Sequence, residues 1–79
     1  MTKNELYEFI CEDAGLERSE INDETLLFSD GFIDSFTMTS LLAFVEEETQ
    51  ISIEQSAVTL ENFDTVPRIM AFVERHNGN

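Results

Sequence analysis

The chain has 79 residues, enough for one domain, residues 1–79, with a single core and no second lobe to close over a substrate; such a domain buries only about 60% of its unfolded surface. Apolar residues make up 42% of it, with seven Phe and seven Leu, so a core can form and disorder is disfavoured. Against 17 acidic residues stand 4 basic ones, and the net charge of −13 excludes nucleic-acid and membrane-surface partners while favouring basic patches on other proteins.

The opening Thr2-Lys3-Asn4-Glu5 reads as a capping box. Leu6, Phe9, Ile10 and Ala14 follow at helical spacing, and Gly15 suits a left-handed stop, so a first helix is predicted over residues 3–14. Residues 16–33 keep no period, yet Leu16, Ile21, Leu26, Leu27, Phe28, Phe32 and Ile33 are apolar. That composition predicts an ordered loop lying across the bundle, with one short helical turn and a bend at Gly31. Asp34 is a good N-cap for a second helix from Ser35 to about Glu48, whose stripe is Met38, Leu41, Leu42 and Val45.

Ile51-Ser52-Ile53 alternates like a strand but is short; two apolar anchors closing a loop is the better reading. Ala57, Val58 and Leu60 suggest a short third helix. Asp64 or Thr65 caps a last helix that tolerates Pro67 in its first turn. Its stripe is Val66, Ile69, Met70 and Val73, flanked by Phe72, and Asn77-Gly78 ends it. The predicted fold is all-α: a small four-helix bundle of three longer helices and one short third helix, with a long ordered loop between helices one and two.

Self-contained catalytic chemistry is hard to find. One Cys, Cys11, excludes an internal disulfide, and with one His it excludes a structural zinc site. Placing Gly31 sixth in a calcium loop puts Leu26 first and Phe28 third, so no metal site is expected there. His76 falls in the last turn of the last helix, where the dipole favours it, rather than beside a nucleophile. Cys11 reads as a small residue bordering the core, and Glu46-Glu47-Glu48 as a solvated helix end. No apolar run reaches the roughly 20 residues of a membrane helix, and MTKNELYEF lacks a signal pattern, which points to a reducing, cytoplasmic setting.

What remains is Gly31-Phe32-Ile33-Asp34-Ser35-Phe36. A Ser at the first turn of a helix after a long loop is reachable from solvent. On these six residues alone, helix capping by Asp34 and Ser35 is the plainer reading. The wider context resembles the acyl carrier protein family, whose motif is Asp-Ser followed by Leu, Met or Ile shortly after a Gly. Gly31, Asp34-Ser35 and Phe36 match it; Leu41-Leu42 with Val45-Glu46-Glu47-Glu48, Ile51-Ser52-Ile53 and Asn62-Phe63-Asp64-Thr65-Val66 resemble later family segments in order. The resemblance runs from about Leu6 to Val73.

It implies that the protein is a free-standing carrier and not an enzyme. Ser35 would carry a covalent 4′-phosphopantetheine arm whose distal thiol holds an acyl group as a thioester. Asp34 would be both cap and a residue read by the phosphopantetheinyl transferase. The other implied partner is a cargo-loading ligase or synthase with a basic docking patch, meeting a monomeric carrier. Two features depart from fatty-acid carriers: no acid precedes Glu46 on helix two, and Phe32-Ile33 flanks the motif. The flank resembles discrete D-alanyl-type carriers, and Asn62-Phe63 leans the same way, so an aminoacyl, D-alanyl or peptidyl cargo stands beside an acyl one. An unmodified acidic helical adaptor is the competing class; a hydrolase using Ser35 fails for want of a base.

At about 100° per residue, Phe36 falls almost opposite the core stripe of helix two, near Ser40, Ala43 and Glu47. These four residues are the expected partner-binding face, with Phe36 as its apolar anchor. The alternative is that Phe36 folds back onto Phe32 and joins the core.

Overall fold

The computed structural model describes residues 1–77, and every regular element among them is helical. In chain order these are α1 (Lys3–Ala14), α2 (Ser35–Thr49), α3 (Leu60–Phe63) and α4 (Val66–Asn77), with short 3-10 turns at Arg18–Glu20 and Gln55–Ala57. This is the expected bundle of three longer helices and a short third one. No described helix is long and apolar enough to cross a membrane.

Local chemistry sets the helix ends. The Glu5 N–H donates to Thr2 Oγ1 at 3.1 Å, and the Thr2 N–H donates to Glu5 Oε1 at 2.7 Å. This reciprocal pair satisfies two donors that the first turn leaves without helical partners. Gly15, at φ 70°, turns the chain out of α1, and the Leu16 N–H closes on the Cys11 carbonyl at 2.8 Å. Asp34 caps α2, and Gln50, at φ 61°, ends it. The predicted terminator of α4 included Gly78, which lies outside the described residues.

α1 packs against both α2 and α4, while α3 packs against α4. The core joins Leu6, Tyr7 and Ile10 of α1 to Leu41 and Val45 of α2, Phe63 of α3, and Val66, Ile69, Phe72 and Val73 of α4. Three loop residues, Ile21, Leu27 and Ile33, are equally buried. The long connection therefore adds a layer of core and lies across the bundle as its composition requires.

Four details differ from expectation. The region around Ala57, Val58 and Leu60 is two pieces, a 3-10 turn and then α3; Leu60 is exposed, and the buried anchor is Phe63. Phe72 is a central core residue with its ring 5.2 Å from that of Phe63, whereas Met70 is only half-buried. Thr37, outside the apolar stripe, is buried under the first turn of α2. Glu46 is not simply solvated, because its Oε2 accepts the Ile53 N–H at 2.7 Å and ties the 51–58 segment to α2.

Candidate functional site

The site is built where the long loop meets α2. Leu27 and Ile33 bury their side chains 1% and 5% exposed, and the Ile33 N–H donates to the Leu27 carbonyl at 2.9 Å. Residues 27–33 thus form a closed hoop rather than a free strand. Within it the Gly31 N–H reaches the Phe28 carbonyl at 3.0 Å, and Gly31 takes φ 78°, a left-handed conformation that disfavours a side chain. The buried Ile33 then delivers Asp34 and Ser35 to the surface in succession.

Asp34 is extended, at φ −114° and ψ −175°, and its Oδ1 accepts the Thr37 N–H at 2.9 Å. That backbone hydrogen bond, with smaller contributions from the Thr37 hydroxyl and the Phe36 N–H, holds the Asp34 carboxyl below its ordinary value despite some desolvation. Ser35 is the first helical residue and is exposed. Its carbonyl accepts the Thr39 hydroxyl at 3.1 Å. Beside it lies an open groove of 480 Å³ lined by Ser35, Met38, Thr39, Leu42, Ile53, Gln55 and Val58. Met38 and Leu42 of the predicted stripe are half-buried because they wall this groove, while Leu41 and Val45 fill the core.

The other sequence-derived candidates fall on the outer side of α2. Phe36 is 81% exposed, so it does not fold back into the core. Ala43 and Glu47 are exposed with it, and Ser40 is half-buried. His76 sits far along the chain at the end of α4, with Nδ1 2.9 Å from the Phe72 carbonyl and its ring against the Phe72 ring. Burial is the largest influence on the half-buried Cys11 thiol and raises its pKa, which disfavours the thiolate.

The charge distribution is lopsided in space as well as in number. Lys3 pairs with Asp23; Arg18 lies 3.6 Å over the Tyr7 ring and donates to the Ile21 carbonyl at 2.7 Å. Arg68 donates to the Leu60 carbonyl at 3.2 Å, and Arg75 to Asn62 Oδ1 at 3.1 Å. All four basic residues brace the first loop or the α3–α4 pair. None lies on α2, which leaves that helix with acids at its far end and no positive charge.

Sequence reasoning offered Asp64 only as an alternative cap for the last helix and missed what it holds. Thr65 takes the cap of α4, its Oγ1 accepting the Arg68 N–H at 3.2 Å. Asp64, only 2% exposed, instead accepts the Phe28 N–H at 2.8 Å, the Ser29 N–H at 3.1 Å and the Ser29 hydroxyl at 2.6 Å. Burial pushes its carboxyl up, but the hydrogen bonds from Ser29 and Phe28, helped by Arg68, outweigh burial and hold it below the usual aspartate value. The available signal was that two cap formers, Asp64 and Thr65, stood side by side and only one cap was needed.

No protein-family model matches the chain. Among curated proteins, it is 28% identical to the acyl carrier protein of Cyanophora paradoxa over 67 residues, a match that covers 80% of this chain and 65% of that protein. It is 30% identical to the acyl carrier protein of Phytoplasma mali (strain AT) over 79 residues, which spans 100% of this chain and 92% of that one. With its helical order in agreement, the chain belongs to the acyl carrier protein family, whose members are carriers rather than enzymes.

Proposed function

We propose that this chain is a carrier domain that holds its cargo as a thioester on a 4′-phosphopantetheine arm attached to Ser35. The observation that carries this reading is the placement of Ser35: an exposed hydroxyl on the first turn of α2, at the mouth of the groove, after an ordered hoop. The residues fit such a group. A helix N-terminus favours a phosphodiester through its dipole and its N–H groups. The groove offers Met38, Leu42, Ile53 and Val58 as apolar lining, with Thr39 and Gln55 as polar partners. Ser35 needs no base of its own, because a separate phosphopantetheinyl transferase takes its proton. The Oγ–phosphorus bond forms as the pyrophosphate bond of coenzyme A breaks, releasing adenosine 3′,5′-bisphosphate.

In this reading Asp34 caps α2 and is also a residue that the transferase reads. Phe36, with Ser40, Ala43 and Glu47, forms the docking face for a loading ligase or synthase that presents a basic patch. The absence of positive charge on α2 supports that complementarity. The setting is cytoplasmic and the carrier monomeric. The cargo is an acyl group, with an aminoacyl or D-alanyl group as the alternative use of the same arm.

Intact mass after incubation with coenzyme A and a broad-specificity transferase tests the site. The wild type gains one arm and Ser35→Ala gains none, with circular dichroism of the two proteins alike because Asp34, not Ser35, is the cap. A Ser35→Ala protein that still takes up the arm overturns the assignment, and a wild type that never does favours the unmodified adaptor. Phe36→Ala tests the docking face. An exposed Phe costs well under about 1 kcal/mol on truncation, against about 3–5 kcal/mol in a core. Stability should hold while arm transfer or cargo loading slows several-fold; normal loading overturns the docking role.

A further inference from the structure

Four hydrogen bonds from residues 27–29 converge on Asp64, a residue on the far side of the sequence. The Leu27 N–H takes the Asp64 carbonyl at 2.6 Å; the Phe28 N–H, Ser29 N–H and Ser29 hydroxyl take its carboxylate. Among the described residues, no other side chain outside residues 26–33 hydrogen-bonds to this segment. From there the Leu27 carbonyl holds the Ile33 N–H, and Ile33 leads into Asp34 and Ser35. The α3–α4 junction, where Asp64 sits between Phe63 and Thr65, is buried throughout. Asp64 therefore ties the position of the hoop to a fully buried corner of the molecule.

We infer that Asp64 is a positioning residue for Ser35: by latching Phe28 and Ser29 to the α3–α4 junction it holds the hoop, and with it the Asp34–Ser35 turn, in the one arrangement that a transferase can engage. This rests on the carrier reading. An enzyme that joins a hydroxyl to a phosphorus needs the two aligned, and a displacement of about 1 Å can lower the rate by about 100-fold. A hoop freed from Asp64 occupies that arrangement only part of the time, and the apparent affinity for the transferase falls by the same fraction. The loss therefore appears mainly in KM. A role limited to stability would leave KM and kcat untouched wherever the variant is folded.

The test uses the full chain as wild type, Ser29→Ala, Asp64→Asn and Asp64→Ala, each below its own melting temperature, with coenzyme A and a broad-specificity transferase. Two measurements are made: hydrogen exchange at the amides of residues 28, 29 and 33, and kcat and KM for arm transfer. Asp64→Ala should lose protection at those amides and raise KM about tenfold, while Leu41 and Val45 in α2 stay protected. Asp64→Asn, whose oxygen still accepts the two N–H groups, should recover much of both, and Ser29→Ala should fall between wild type and Asp64→Ala. Should Asp64→Ala not fold, Ser29→Ala and Asp64→Asn supply the same comparison. Lost protection with wild-type KM overturns the positioning role, and unchanged protection overturns the latch. A wild type that accepts no arm overturns the carrier reading itself, and leaves Asp64 a structural residue only.

Discussion

Residues 16–25 lean on α1 through charged groups at the surface, whereas residues 26–33 lean on the α3–α4 junction through one carboxylate removed from water. In the first half, Asp23 accepts from Lys3 and from the Tyr7 hydroxyl, and Arg18 covers the Tyr7 ring at 3.6 Å. In the second half, Asp64 accepts from Phe28 and Ser29 and is 2% exposed. Both anchors are aspartates, and both carboxyls titrate below their ordinary value. Their surroundings set their worth: an ion pair in water is weak, while a buried acceptor leaves its donors without any substitute. The half that leads into Ser35 is the one held from inside.

Of the polar anchors that hold the connection, Asp64 should matter most, and Asp64→Ala should have the largest effect. It removes the charge-assisted hydrogen bonds and leaves the Phe28 and Ser29 N–H groups short of an acceptor, for about 2–3 kcal/mol of stability in urea denaturation. The pH dependence follows from the direction of the shift. The folded carboxyl titrates below the unfolded one, so its stabilisation is complete above about pH 4 and is lost as pH falls through the lower folded value. Acidification also reduces the net charge of −13 and so relieves repulsion across the whole chain. The wild-type-minus-Asp64→Ala difference is therefore the quantity to follow, and it should narrow on acidification. A gap that stays constant from pH 7 to well below about pH 4 would show that the charge of Asp64 contributes nothing and would erase the contrast between the two halves.

The contrast was only partly legible in the sequence. The helices were, because Thr2 with Glu5, Gly15 and Asp34 are local signals whose meaning is decided within four residues. So was the turn that carries Ser35, since Ser35 and its Asp34 cap are neighbours in the chain and the burial of Leu27 and Ile33 followed from composition. The latch was not. Asp64 and Ser29 stand 35 residues apart, and nothing local distinguishes an aspartate that caps its own helix from one that turns away to hold a distant loop. Phe72 was misplaced for a related reason: the position of Phe63, 5.2 Å from its ring, decides which residues of α4 face inward. Leu60 was one of the apolar residues that suggested the third helix, but it is exposed and Phe63 is the residue buried there.

A smaller effect is expected from Tyr7→Phe. The ring is 1% exposed and stays where it is; only the hydroxyl and its bond to Asp23 are lost, for about 1 kcal/mol. Burial first, and then the hydrogen bond and charge of Asp23, push the Tyr7 hydroxyl up to about 12 against the opposing pull of Arg18. A raised folded value stabilises the protein fully below the unfolded value of about 10. That contribution is lost as pH rises from there through the folded value of about 12. Tyr7→Phe should therefore flatten part of the alkaline fall in melting temperature. An equally steep fall in both proteins would remove Tyr7 from the account of how residues 16–25 are held.

Lys3→Ala should do least. The Lys3 and Asp23 side chains are 47% and 49% exposed, so each keeps much of its water and the pair is screened at ordinary ionic strength. Asp23 also retains the Tyr7 hydroxyl as a donor when Lys3 is gone. The melting temperature should then match wild type at about 0.15 M salt, with a small deficit emerging only as salt is withdrawn, because one of just four positive charges in a strongly acidic chain has been removed. Lys3→Met, which keeps the apolar stem and loses the charge, separates the two contributions, and arm transfer to Ser35 should be unchanged in both variants because the hoop is held from the other side. A Lys3→Ala protein that melts as low as Asp64→Ala, or is loaded as poorly, would show that the two halves of the connection act as one unit, with the surface pair transmitting to Ser35 what the buried carboxylate alone is argued to transmit.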